Sequence, residues 1–485
     1  LTAELGAPND INDDASIQPQ LRNIKTINTS FISGSAEGTI LNLRDANDDV
    51  ENVSITRVTQ DTSATISEMG PSATNLSVSN STNAGAILFN HQEETLTGSE
   101  TVNLALTSVR TDTLTMSEAG DGDADTGYYF ETVNITTSGT NDLDALTIGA
   151  NAVEDASTAD LDQDINITAN GAATQLGLEV NDLIANGAET ITIVANSRVE
   201  IADDNRIALA VGNDGITTAE LNTLTISGGA NVMIDGLDGA DAMITVAAGE
   251  MTGNLTLGIA EASDASGSGT YATGTDEDLS VTSGSGDDTI ETYEALAGDI
   301  TTNAGDDSVT VGGAMEGVSA IVTGDGDDSV TAEDMQATAS DNDETGNETY
   351  TVQGAHISTG AGDDTISADA LLSNADWDNN GTVDADNNDT QVIRGAMIDA
   401  GAGDDTITFE TVAEGASVDA GAGDDAITVG LTTSATILAG DTDDNQETVV
   451  DDDNAAAAGG RTDEVNDAGA ADMLGAIVDA GDDAD

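Results

Sequence analysis

The chain has 485 residues, 92 of them acidic against nine basic, for a formal net charge of −83 at pH 7. It has no cysteine, 2% aromatic residues and one tryptophan, which rules out a disulfide-stapled scaffold and argues against a core of large aromatic rings. No basic patch exists to neutralise phosphates and no apolar run reaches membrane-spanning length, so neither nucleic acid nor a transmembrane segment is expected.

Residues 1–129 are the least regular stretch and read as an irregular β region. Residues 9–14 (N-D-I-N-D-D) suggest a loose acidic arm, and short strands are expected at 53–58, 76–79, 86–89, 102–107 and 113–116. Five of the nine basic residues lie here: Arg22, Lys25, Arg44, Arg57 and Arg110. Either this segment is an assembly or anchoring part that meets an anionic cell-envelope glycan, lipopolysaccharide or another subunit's acidic surface, or these bases offset local acids. Pro8, Pro19 and Pro71 are the only prolines, so beyond them every backbone N–H is available to a strand ladder. The first residues show no charged-then-apolar leader, so a removed leader, a fragment or a C-terminal export signal is expected.

Residues 130–282 keep a rhythm of short alternating strands separated by Gly, Asn and Asp. Strands are expected at 132–136, 145–148, 165–169, 176–180, 190–194, 207–211, 223–227, 232–235, 243–246, 255–259 and 279–282. The spacing suits a parallel β-helix or a sandwich. Thr/Asn-rich phrases such as E-T-I-T-I and L-N-T-L-T-I favour the helix.

From residue 283 one phrase recurs six times, a glycine-bearing hexapeptide ending in Asp-Asp and followed by a strand. It reads S-G-S-G-D-D-T-I-E from Ser283, T-N-A-G-D-D-S-V-T from Thr302, T-G-D-G-D-D-S-V-T from Thr323, T-G-A-G-D-D-T-I-S from Thr359, A-G-A-G-D-D-T-I-T from Ala400 and A-G-A-G-D-D-A-I-T from Ala420. The fourth-slot glycines are spaced by 19, 21, 36, 41 and 20 residues, so the unit is about twenty residues and two units carry insertions, at 333–353 and 369–395. Glycine or asparagine in the second and fourth slots permits positive φ and a tight turn. The fifth and sixth slots hold Asp287 and Asp288, Asp306 and Asp307, Asp327 and Asp328, Asp363 and Asp364, Asp404 and Asp405, and Asp424 and Asp425. These are hard carboxylate oxygens of the kind calcium prefers. The eighth slot is always Ile or Val, as is the residue three before the second slot (Ile300, Ile321, Ile357, Ile398, Val418). Each repeat therefore reads as strand, aspartate turn, strand and second turn, and stacking would bury a core that no single rung can bury.

On these nonapeptides residues 283–445 resemble the calcium-binding repeat G-G-x-G-x-D-x-U-x of the RTX family of secreted bacterial proteins, with the first glycine replaced. The resemblance implies a parallel β-roll wound around several calcium ions, an extracellular or cell-surface location and type I-like export. In that family the turn recurs on both edges every nine residues. Here it occurs once per rung, which implies one row of ions. The preceding stretch is similar to the segments that precede RTX repeats in bacterial surface-layer proteins. The expected fold is all-β, a parallel β-solenoid in which a β-helix over 130–282 continues into an RTX-like β-roll over 283–485. Six to eight calcium ions would cancel only about 12–16 charges, leaving the rest to salt, further ions or a cationic neighbour. Halophilic adaptation also yields acidic, lysine-poor chains, but it does not produce a periodic Asp-Asp.

The insertion after the fourth repeat contains D-W-D-N-N-G-T-V-D, which fits a calcium loop with Asp376, Asp378, Asn380 and Asp384 as ligands. Asn387 stands where an EF-hand has its bidentate Glu and no flanking helices are evident, so a solvated acidic loop is the alternative. Further candidates are Asp121, Asp123 and Asp125, Asp341 and Asp343, and Asp443 and Asp444. His91 and His356 are the only histidines, and no H-E-x-x-H, G-x-S-x-G or phosphate loop occurs, so an enzyme is not expected. The leading functional expectation is a calcium-stabilised extracellular structural protein that self-assembles into a surface layer, sheath or filament. A calcium-rigidified adhesin stalk and the non-catalytic part of a secreted RTX enzyme are the alternatives. Both insertions should emerge opposite the aspartate edge, with Tyr350, Trp377 and Arg394 as lateral contacts. Ala476, Val478, Gly481, Asp482 and Asp483 repeat the rung pattern and suggest an edge open to further pairing.

Overall fold

The computed structural model describes all residues except 1, 6–14, 33–38, 47–48, 93–99, 119–129, 150–162, 186, 203–214, 219–220, 240–243, 262–278, 293–294, 316, 318, 340–350, 373–391, 394, 413–415, 433–435, 439–447, 452–476 and 480–485. Among the described residues there is no helix. The chain is an all-β parallel solenoid, in which short strands stack into long parallel ladders. It divides into two compact units, Leu1–Gly269 and Thr270–Asp485.

In the first unit one ladder runs Thr2–Leu5, Thr26–Phe31, Asn52–Val58, Asn75–Ser79, Thr101–Thr107, Thr132–Ser138, Gln163–Asn170, Ala188–Ala195, Thr223–Gly228 and Thr245–Met251, each strand parallel to the next. The second takes the intervening strands, among them Thr39–Asn42, Ala64–Met69, Ile87–His91, Arg110–Glu118, Asp142–Ile148 and Leu176–Ile184. The alternation of apolar and small polar residues sets which side is buried, because successive side chains point to opposite faces. In-register stacking then places like on like. Ile27, Val53, Leu76, Leu104, Ile135, Ile167, Ile193 and Ile226 form one inward column, and all are at most 2% exposed. Each such side chain contributes about 1.5–3 kcal/mol through burial. Leu41, Ile66, Phe89, Met116 and Ile148 form the matching column of the second ladder. All four phenylalanines are buried, so the scarce aromatics do reach the core.

Residues 1–129 are thus regular in structure, although they looked irregular in sequence. Members of the isoleucine column lie 26, 23, 28, 31, 32, 26 and 33 residues apart, so turns of unequal length hide a constant strand geometry. Residues on both sides of 129/130 belong to one unit, joined by the seven-residue pairing of Thr101–Thr107 with Thr132–Ser138. The strand expected at 207–211 and the acidic arm at 9–14 lie outside the described residues, and the strand expected at 243–246 runs Thr245–Met251.

The outward sides of the two ladders differ. On the first, Asn52, Asn75, Asn103, Asn134 and Asn166 share a column. The side-chain amide of Asn103 donates to Asn75 at 3.1 Å, that of Asn134 to Asn103 at 3.0 Å and that of Asn166 to Asn134 at 3.1 Å. The next column is Ser54, Ser77, Ala105, Thr136 and Thr168. The second ladder instead carries Arg110, Asp142, Glu179 and Glu200 in one column. Three of the N-terminal bases pair with acids on a neighbouring rung: Lys25 with Glu51, Arg44 with Glu68 at 3.2 Å, and Arg110 with Asp142. That arrangement fits local charge offset.

The second unit repeats the plan with shorter rungs. One ladder runs Leu279–Thr282, Gly298–Thr301, Ala320–Asp325, His356–Ala361, Met397–Ala402, Ser417–Asp419, Thr436–Leu438 and Ile477–Asp479. The other runs Thr289–Thr292, Ser308–Val311, Ser329–Met335, Thr365–Leu371, Thr406–Val412, Ala426–Thr432 and Thr448–Asp451. The Ile/Val of the two inward slots form the columns Val281, Ile300, Ile321, Ile357, Ile398, Val418 and Ile290, Val309, Val330, Ile366, Ile407, Ile427, all buried. Leu279–Thr282, expected as the last strand of the middle region, falls in the second unit and pairs with Gly298–Thr301.

The insertions begin later than the sequence suggested. Strands Ser329–Met335 and Thr365–Leu371 stay in the ladder to their last residues, since Met335 and Leu371 are buried and pair with each other. Beyond them Ala337–Ala339 pairs antiparallel with Thr351–Gly354, which pairs parallel with Val392–Ile393. A small third sheet therefore links the bases of both insertions. Tyr350, Trp377 and Arg394 lie outside the described residues.

Candidate metal-binding ladder

Each aspartate turn sits where the chain leaves one ladder of the second unit for the other. From the second repeat on, both glycine slots take positive φ: Asn303 (73°), Gly324 (113°), Gly360 (102°), Gly401 (100°) and Gly421 (93°) in the second, and 129–149° for Gly305, Gly326, Gly362, Gly403 and Gly423 in the fourth. The fourth slot has a further constraint. A Cβ on Gly326 would lie 1.9 Å from the carbonyl oxygen of Gly305 in the rung below, so only glycine permits turns to stack this closely.

Stacking sorts the two aspartates of each turn into different environments. The sixth-slot residues Asp288, Asp307, Asp328, Asp364, Asp405 and Asp425 are at most 2% exposed. Their Oδ1 atoms form a ladder pointing toward the N-terminus. Asp307 accepts from the backbone N–H of Asp288 at 2.7 Å, Asp328 from Asp307, Asp364 from Asp328 and Asp405 from Asp364 at 2.8 Å each, and Asp425 from Asp405 at 2.9 Å. The fifth-slot residues form the opposite ladder. Asp287 accepts from Asp306 N–H at 3.2 Å, Asp306 from Asp327 and Asp327 from Asp363 at 3.0 Å, and Asp363 from Asp404 and Asp404 from Asp424 at 2.9 Å. Consecutive turns are thus stapled twice, in opposite directions.

One oxygen of the buried ladder is left over. Oδ2 of Asp307, Asp328, Asp364, Asp405 and Asp425 is buried with no protein donor at hydrogen-bonding distance and angle. Burial pushes these carboxyls up from their ordinary 3.8, Asp307 to about 6 and Asp405 to about 7, and neighbouring aspartates add to the shift. A buried anion without a counter-charge is costly, so a hard cation fits this oxygen set. Among the described residues no three acidic or histidine side chains converge on one point.

The aspartates stack along one edge, as the repeat implies, and beside them lies a first-slot ladder that the repeat phrase does not announce. Ser283, Thr302, Thr323 and Thr359 are fully buried, and each hydroxyl donates to the first-slot carbonyl of the next rung, at 3.2, 3.2, 3.0 and 2.9 Å. The residue replacing the first glycine is therefore an inward hydroxyl ladder. Its signal was present as a hydroxyl two residues after the inward Ile or Val in the first four repeats. The hydroxyls of Thr302, Thr323 and Thr359 oppose the rise at Asp307, Asp328 and Asp364. Ala400 and Ala420 cannot do so beside Asp405 and Asp425.

The other candidate ligands, Asp376, Asp378, Asn380 and Asp384, Asp121, Asp123 and Asp125, Asp341 and Asp343, and Asp443 and Asp444, lie outside the described residues. Of the histidines, His91 is buried with Nε2 at 3.1 Å from the carbonyl of Ala73, and burial lowers its pKa. His356 is half-buried on the outward side of its strand, and burial lowers its pKa as well. No family model, curated protein or solved structure matches this chain.

Proposed function

We propose that the aspartate ladder of the second unit binds a row of calcium ions and that the chain is an extracellular structural protein that self-assembles into a surface layer, sheath or filament. The buried Oδ2 column carries this reading: five consecutive buried carboxylates each keep one oxygen without a hydrogen bond of full geometry, and only the Thr302, Thr323 and Thr359 hydroxyls act on three of them. Asp307, Asp328, Asp364, Asp405 and Asp425 would hold the ions, Asp288 would close the row, and the fifth-slot aspartates would keep adjacent turns in register. Bound calcium supplies the charge neutralisation that stacked carboxylates about 4.8 Å apart require. Millimolar calcium outside cells would keep the row filled, and the resemblance to RTX repeats points to the same ion and compartment. A chain of −83 also needs divalent bridges before copies can approach.

Calorimetry on Asp405→Ala together with Asp425→Ala should show fewer bound calcium ions than wild type, and equal stoichiometry would remove these residues from the site. Light scattering during calcium titration of dilute protein should rise as copies assemble. Monomers persisting at millimolar calcium would favour the adhesin stalk.

A further inference from the structure

The first unit has an outward face that its charge makes unexpected. The first 280 residues hold 44 acids and seven bases. Yet two adjacent columns of its first ladder, the asparagine column through Asn103 and Asn134 and the column through Ala105 and Thr136, carry no charge over at least five rungs. Charge lies at the margins, at Lys25, Glu51, Arg57, Asp164 and Glu250.

We infer that this face docks against the same face of a second copy of the chain. The inference rests on the self-assembly reading and supplies one of its contacts. Across most of its surface a chain this acidic repels its own kind, and a neutral face is where two copies meet without opposing carboxylates. The side chains suit such a contact. In-register parallel sheets bearing polar, uncharged side chains such as Asn can pair face to face with those side chains interdigitated. The asparagine amides are already fixed by bonds along the column, so docking costs little side-chain order. The area is sufficient. Eight strands about 4.8 Å apart, each spanning about six residues at 3.3 Å with every second side chain outward, offer about 700 Å² per copy and about 1,400 Å² in total, within the range of specific interfaces. Paired face to face by a two-fold axis, the contact closes on itself and gives a dimer, so a layer or filament needs a second contact elsewhere.

The test is sedimentation velocity on the full chain at millimolar calcium. Thr136→Asp and Thr136→Lys change an exposed residue at the centre of the face, and Ala105→Asp and Ala105→Lys do the same one rung away. Circular dichroism of each variant should match wild type. Each variant alone should associate at least tenfold more weakly than wild type, and an equimolar mixture of the Asp and Lys forms should regain association. If wild type associates and the variants associate equally, or if neither mixture recovers, the docking face is wrong while the assembly reading stands. Wild type that stays monomeric overturns both.

Discussion

Acidifying the calcium-free chain from pH 7.5 to 5 should stabilise its second unit, the reverse of ordinary acid denaturation. Asp405 lies in the buried ladder between Asp364 and Asp425, and burial pushes its carboxyl from 3.8 up to about 7, while Asp307 rises to about 6. Asp328, Asp364 and Asp425 are shifted in the same direction by the same cause. A carboxyl whose folded value exceeds its unfolded one holds its proton more tightly when folded. Its contribution to stability is therefore complete below about pH 4 and is lost as the pH rises toward 6 or 7. At about 1.4 kcal/mol per pH unit below each folded value, going from pH 7.5 to 5 gains about 3 kcal/mol from Asp405 and about 1.4 kcal/mol from Asp307. For a unit of this size each kcal/mol moves Tm by about 2–4 °C, so a rise on the order of 10 °C is expected. Relief of the general acidic repulsion acts in the same direction. Circular dichroism melts in chelator at pH 5, 6 and 7.5 measure it, and Asp405→Asn should flatten the response by removing a strongly shifted carboxyl. With calcium present the order should reverse, since protons compete with the metal for the same oxygens. A Tm in chelator that is flat, or that climbs between pH 5 and 7.5, would refute the buried-carboxylate reasoning.

Gly326→Ala forces a Cβ onto a backbone oxygen at a φ of 143° and should cost about 1–3 kcal/mol, read as a lower melting temperature in saturating calcium. Thr323→Val removes the hydroxyl that donates to Thr359 and should cost about 1 kcal/mol while moving the ionisation of Asp328 further upward, which carboxyl NMR titration would resolve. Ile407→Ala, in a fully buried column, should cost about 2–5 kcal/mol by chemical denaturation in calcium. Circular dichroism melts at pH 7.5 should place the transition of the repeat region lower in chelator than in calcium; an unchanged transition would mean that the ladder gains no stability from the ion.

Local chemistry alone made the second unit legible. The six Asp-Asp phrases, with glycine two positions before each sixth-slot aspartate and Ile or Val two positions after it, announce a stacked turn. A repeat near twenty residues leaves little freedom in how rungs align. The inward columns of Ile300 to Val418 and Ile290 to Ile427 follow from that phrase. The first unit was less legible because its rungs vary from 23 to 33 residues, and only pairing across the rungs shows that Val53, Leu76 and Leu104 occupy one position. Tertiary structure alone decided the fate of each aspartate in a pair. In sequence Asp327 and Asp328 are equivalent carboxylates. In the stacked turn one faces solvent and the other is 2% exposed with an oxygen lacking a donor. The same holds for the neutral Asn and Thr columns, whose members lie about thirty residues apart and become one surface only when parallel register brings them within about 4.8 Å. Periodicity prescribes what each rung buries. Burial, partners and contiguous faces arise from the contact between rungs, which exists only once the chain has folded.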